Sequence, residues 1–141
     1  MIREFRIEDY DKVIALWNEV GLPYRPKGRD SRHRIEEELK QGNSIFLVAE
    51  VDGKLVGSVL GTRDGRKGWI NRLSVHPSFR RRGIARKLVA EAERRFSQLG
   101  LEVVACLIEQ GNASSKRLFE SIGYECHSDI AYFSKRTSSD A

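Results

Sequence analysis

A mixed α/β sheet with helices on both faces is the fold class this sequence predicts. Three observations carry it: two β-rich runs joined by Asp52-Gly53, a third run entered through Asp64-Gly65, and a strand, helix, strand succession around Gly83. Asp-Gly is the favoured type I′ hairpin pair, so the first two observations predict an antiparallel meander. The third requires a crossover and hence local parallel pairing, because parallel strands cannot be joined by a tight turn.

The elements follow in order. "IREF" alternates like a strand, and "DYDKVIALWNEVGL" places Val13, Ile14, Leu16, Trp17 and Val20 on one helical face, with Asp9 as cap and Gly21 as stop. "PYRPKGRD" is a basic Pro/Gly loop, and "SRHRIEEELKQGN" is a short helix with only Ile35 and Leu39 apolar. So lightly anchored a segment is surface where specificity is often set, and residues 23–30, with Tyr24 and Arg25, are the candidate substrate wall. "SIFLVAEVDGKLVGSVLGTRDGRKGWINRLSVHP" supplies the three meander strands. From Gly83, Ile84, Ala85, Leu88, Val89, Ala92 and Phe96 recur at helical spacing until Gly100. "LEVVACLI" reads as a buried strand, "NASSKRLFESIG" as a helix capped by Asn112, and "IAYFSKR" as a closing strand. Residues 1–136 form one domain and residues 137–141, "TSSDA", a short polar tail. Trp17 and Trp69 are read as core at these periodic positions.

Composition narrows the function classes. With 141 residues, 40% hydrophobic and 32% charged, the chain is an ordinary soluble globular domain. No apolar run is long enough to span a membrane and the amino terminus is charged, so the expected compartment is cytoplasmic, without membrane attachment. Cys106 and Cys126 are too few for a disulfide framework and are read as reduced core cysteines. His33, His76 and His127 form no ligand spacing, and no metal site is expected. The net charge of +5 favours an anionic partner without naming it.

Where that anion binds is suggested by "VHPSFRRRGIARKLV", which puts a glycine at the start of an apolar helix. A helix amino terminus exposes unpaired N–H groups and the positive end of the helix dipole. Gly83, lacking a Cβ, lets an anion approach the backbone, and Arg80, Arg81 and Arg82 add charge. The run from Val75 to Ala85 resembles V-x-P-x-x-[Q/R]-x-x-G-x-[G/A] of the GNAT superfamily, the acetyl-CoA-dependent N-acyltransferases. "NASSKRLFESIGYE" resembles a second motif of that family, through Asn112, Ser115, Leu118, Phe119, Gly123 and Tyr124. The two motifs with the meander and the closing strand cover nearly the whole chain.

The resemblance implies the GNAT acyl-CoA N-acyltransferase fold, of the small single-domain prokaryotic type. It also implies transfer of an acetyl group from acetyl-CoA to a primary amine by direct attack in a ternary complex, without a metal. Pyrophosphate contacts fall to Arg81, Arg82, Gly83, Ile84 and Ala85, with Arg80 opening the turn. Leu73 and Val75 lie along the pantetheine arm and acetyl group, and Asn112 and Phe119 complete the cofactor set. The adenosine phosphates can attract Arg80, Arg86 or Lys116. Phe119 stands where many relatives have the tyrosine that protonates the leaving thiolate, so either Tyr124, Ser115 or water takes that role, or no acid is needed because a thiolate leaves readily near neutral pH. Glu109 is the candidate base, and Asn71 is a candidate to orient the amine. The acceptor is a small-molecule or protein amine, and relatives commonly form a homodimer. Two other readings stand beside this one: a catalytically silent acetyl-CoA-binding protein, and a nucleic-acid-binding module. The last is disfavoured because the basic residues of the central helix share it with a core-spaced apolar face.

Overall fold

Two tight turns set the register of the sheet in the computed structural model, which describes residues 1–141. Asp52 and Gly53 have φ of 51° and 76°, as a type I′ turn requires, and they join β2 (Ser44–Val51) to β3 (Lys54–Arg63). Asp64 then folds the chain back into β4 (Gly68–Val75), its carboxylate accepting from the N–H groups of Arg66 and Lys67 at 2.9 Å each. The amino-terminal β1 (Ile2–Glu4) pairs with β2, and β5 (Val104–Cys106) lies parallel to β4. The five strands stand in chain order, with every pair but the last antiparallel.

Four helices cover the two faces: α1 (Tyr10–Val20), α2 (Arg32–Gln41), α3 (Ile84–Gln98) and α4 (Ala113–Ser121). Strand alternation divides the core accordingly. Leu47, Ala49, Val56, Val59 and Ile70 pack with Leu88, Val89, Ala92 and Phe96 of α3 and Phe119 of α4. Phe5, Phe46, Val48 and Leu60 face Val13 and Trp17 of α1 and Ile35 of α2. The ring of Phe96 lies directly against β3 and β4, where a Cβ added to Gly61 or Gly68 would stand 2.7 Å from it. α3 links β4 to β5, which makes the expected strand, helix, strand crossover.

Several local expectations are corrected. No helix or strand follows α4, so "IAYFSKR" is not a closing strand; Ile130, Tyr132 and Phe133 are 72%, 68% and 90% exposed. Its alternation suits a strand, but a strand needs a ladder partner, and β5 offers only three paired residues, all to β4. For the same reason "LEVVACLI" forms a short, half-buried strand. Cys106 is half-buried and Cys126 exposed, so neither is a core cysteine. Trp17 is fully buried, whereas Trp69 is half-buried and donates its indole N–H to Asp64 at 3.3 Å. Asp9 does not cap α1 through its side chain. Its carboxylate instead accepts two bonds from the Arg3 guanidinium, at 2.7 and 2.9 Å, and one from the Arg6 N–H at 2.8 Å. No helix is long and apolar enough to cross a membrane.

Candidate active site

The turn between β4 and α3 is built to leave backbone donors free. Pro77 starts a single 3-10 turn ending at Phe79, after which Arg80 is extended and Arg81 and Gly83 take positive φ of 65° and 77°. The first backbone bond of α3 runs from the N–H of Lys87 to the carbonyl of Gly83. Upstream of it, the N–H groups of residues 81–86 donate to no acceptor in the protein, although the N–H of Arg80 reaches Pro77. Gly83 caps the helix without a side chain, and a Cβ placed there meets nothing within 4 Å. The first turn of α3 carries no acidic residue. Six successive free donors at the positive end of a four-turn helix are chemically suited to an anion such as a phosphate group.

The three arginines serve that turn unequally. Arg80 donates from Nε to the carbonyl of Val75 at 3.2 Å and so braces the end of β4. Arg82 lies over the Phe79 ring, 4.9 Å from its centroid, while Arg81 is exposed. Arg86 donates to Ser121 Oγ at 2.8 Å, and Lys116 to Gln110 Oε1 at 2.6 Å. The next residue of the strand end, His76, accepts from the Ser78 N–H on Nδ1, at 3.1 Å. Its proton therefore sits on Nε2, which lies 2.9 Å from Glu19 Oε1 of α1.

Inside β4 the ladder with β3 is interrupted. Leu60 pairs with Asn71 and Ser58 with Ser74, which leaves Arg72 and Leu73 opposite Val59 alone. This bulge turns the Asn71 and Arg72 side chains to the same side, that of α1. Asn71 donates from Nδ2 to Thr62 Oγ1 at 3.2 Å, and Arg72 pairs with Asp30 at 2.8 Å. Leu73 packs on the α3 side, and Val75 is buried. β4 thus turns polar side chains to the α1 face, where Arg72 reaches Asp30 of the candidate substrate wall, and apolar ones to α3.

The remaining predicted residues lie beyond β5, before, on or after α4. Glu109 is exposed, three residues beyond β5, and its carbonyl accepts from the Asn112 N–H at 2.9 Å. Asn112 caps α4, its Oδ1 accepting from the Ser115 N–H at 3.2 Å. Phe119 is 5% exposed and meets Tyr124 edge-on, 4.9 Å between centroids. Tyr124 is half-buried and donates its hydroxyl to Glu93 Oε2 at 2.8 Å; burial first, then this carboxylate, pushes its pKa well above the usual phenol range. Burial likewise raises the Cys106 thiol to about 11, which leaves it an inert thiol at neutral pH.

Sequence reasoning did not single out Arg72, Asp30 as its partner, or Ser58 and Ser74 beneath them. Nor did it find Glu38 of α2, whose carboxyl is raised by burial and by the nearby charge of Asp30. The pairs are far apart in the chain, 42 residues for Arg72 and Asp30, and no local pattern connects them.

Comparison with known proteins identifies the family and the fold. The model of the acetyltransferase (GNAT) family matches residues 10–124. Among solved structures, the aminoglycoside N-acetyltransferase AAC(6′)-Iy with a CoA bisubstrate analogue superposes with a TM-score of 0.80 at 22% identity, over 96% of this chain and 97% of that one. A predicted acetyltransferase from Clostridium acetobutylicum with acetyl-CoA gives 0.79 at 12% identity, over 95% of each chain. Glucosamine-6-phosphate N-acetyltransferase from Arabidopsis thaliana gives 0.78 at 21% identity, over 98% of each. At these identities the superpositions show a shared fold.

Proposed function

The chain belongs to the acetyltransferase (GNAT) family, as an acetyl-CoA-dependent acyltransferase, and from that premise we propose that it acetylates a primary amine by direct attack in a ternary complex. The observation that carries the reading is the run of six free N–H groups over residues 81–86, open at Gly83. Arg81, Arg82, Gly83, Ile84 and Ala85 hold the pyrophosphate of acetyl-CoA, with Arg80 bracing the turn. Leu73 and Val75 line the pantetheine arm, and Asn112 and Phe119 border it from α4. Acetyl-CoA is the co-substrate and supplies the activated thioester.

In the reaction a neutral amine nitrogen forms a bond to the thioester carbonyl carbon, and the C–S bond breaks. The proton lost by the amine passes to Glu109, whose exposed carboxylate takes it directly or through water. Asn71, on the side of the bulge that faces α1, orients the amine. The thiolate leaves as such and takes a proton from water, or from Tyr124 after that hydroxyl exchanges its bond to Glu93. No covalent intermediate on the protein is needed.

Amino sugars head the acceptor panel, because two of the superposed enzymes are named for them. Thiol release from acetyl-CoA is followed with an aminoglycoside, glucosamine 6-phosphate, a polyamine and a peptide amine. The reading expects turnover with at least one of them. Binding of acetyl-CoA without turnover of any amine would instead leave the silent binder. Replacing Glu109 by Gln is expected to lower kcat by about 10-fold to 1,000-fold while the acetyl-CoA Kd stays within about twofold. Unchanged kcat removes Glu109 as the base.

A further inference from the structure

Arg72 is a non-glycine residue held at φ 51° within a strand, at the point where the β3–β4 ladder slips. Left-handed backbone is unfavourable for such a residue and persists only when its surroundings over-determine it. Here they do. Ser58 Oγ donates to the Arg72 carbonyl at 3.1 Å and accepts from Trp17 Nε1 at 2.9 Å. With its proton given to that carbonyl, Ser58 must accept the proton of Ser74, whose Oγ lies 2.8 Å away. The Arg72 guanidinium stands over the Trp17 ring, 5.9 Å from its centroid, and donates to Asp30 Oδ2 at 2.8 Å.

Asp30 in turn organises the loop that carries it. Its Oδ2 also accepts from the Arg25 N–H at 2.7 Å, its own N–H donates to the Arg25 carbonyl at 3.0 Å, and its carbonyl accepts from the Tyr10 hydroxyl at 2.7 Å. The loop is thereby closed on itself, and the Arg72–Asp30 pair is the ionic link between it and β4. Both side chains are largely withdrawn from water, 17% and 4% exposed. A buried ion pair adds little stability over apolar packing, but separating its partners leaves an uncompensated buried charge, which opposes any shift of the loop away from β4. The elements joined are the wall read as holding the acceptor and the strand read as lying along the thioester.

We propose that Arg72 and Asp30 are positioning residues for the acceptor: their ion pair docks residues 23–30 against the β4 bulge and so holds the amine at the thioester. The proposal rests on the N-acetyltransferase reading. Glycine adopts φ 51° without strain, so Arg72→Gly keeps the bulge while removing the pair and the guanidinium over Trp17, and Asp30→Asn, which leaves that guanidinium in place, isolates the pair.

With the best acceptor of the panel, Arg72→Gly is expected to raise the acceptor KM about tenfold or more, with kcat falling less than about threefold and the acetyl-CoA Kd within about twofold. Arg72→Lys, which restores a charge at that position, recovers part of the rise. Asp30→Asn gives a similar rise, and the double variant is no worse than the worse single one, since both remove one interaction. Should Arg72→Gly fail to fold, Asp30→Asn carries the same readout. An unchanged acceptor KM in a folded single variant, or effects that add in the double variant, overturns the positioning role and leaves the acetyltransferase reading standing. A wild-type protein that binds acetyl-CoA but acetylates no amine overturns that reading, and this proposal with it.

Discussion

Gly83 is the residue on which the proposed donor site turns. Its φ of 77° is cheap for glycine and costs any other residue about 1–2 kcal/mol, while the space beyond its Cα is open. Gly83→Glu is therefore expected to fold with a modest loss of stability. It sets a carboxylate among the six amides proposed to meet phosphate oxygens, so affinity for acetyl-CoA is expected to fall by about 100-fold or more. Calorimetric titration checks this: a folded variant with wild-type affinity removes residues 81–86 as the cradle. The same position shows what was legible at this scale. The free N–H groups around Gly83 are foreseeable because one short segment supplies them all. Arg72 and Asp30 are not, because their meeting depends on a bulge and a loop closure that no local pattern announces.

At the scale of elements, the ladder of β2, β3 and β4 and the apolar stripe of α3 were readable, since turn chemistry and side-chain period specify them locally. The end of the chain was not, because alternation in "IAYFSKR" says only that a strand is affordable, and the ladder that would make it one lies elsewhere. The contact of α3 with the sheet yields a sharper prediction. A Cβ on Gly68 would lie 2.7 Å from the Phe96 ring. Gly68→Ala is expected to lose about 1–3 kcal/mol through overpacking. Phe96→Leu in the same chain should recover part of that loss relative to the sum of the single effects, a coupling that a denaturation double-mutant cycle measures. Strict additivity would mean that the ring does not pack against that glycine.

For the whole molecule, charge ties the amino terminus to the sheet. Arg3 bridges Asp9 and Glu50, and this guanidinium, with the Arg6 N–H, holds the Asp9 carboxyl below the usual carboxylate range. A depressed folded pKa contributes stability above the unfolded value, about 3.9, and that contribution disappears as pH falls through the folded one. Asp9→Asn is thus expected to be about 1–3 kcal/mol less stable than the parent at pH 7. The gap should narrow as pH drops below about 4, as read from unfolding curves along a pH series. A gap independent of pH would show that Asp9 acts through packing alone.

The donor half of the site, contained in one segment, underlies the account as a whole. Amide resonances followed during titration of the intact protein with acetyl-CoA test it most directly. The account predicts that the largest shifts fall on residues 81–86, with saturation at a single affinity. Binding that leaves those six amides unmoved, or no binding at millimolar acetyl-CoA, would contradict it.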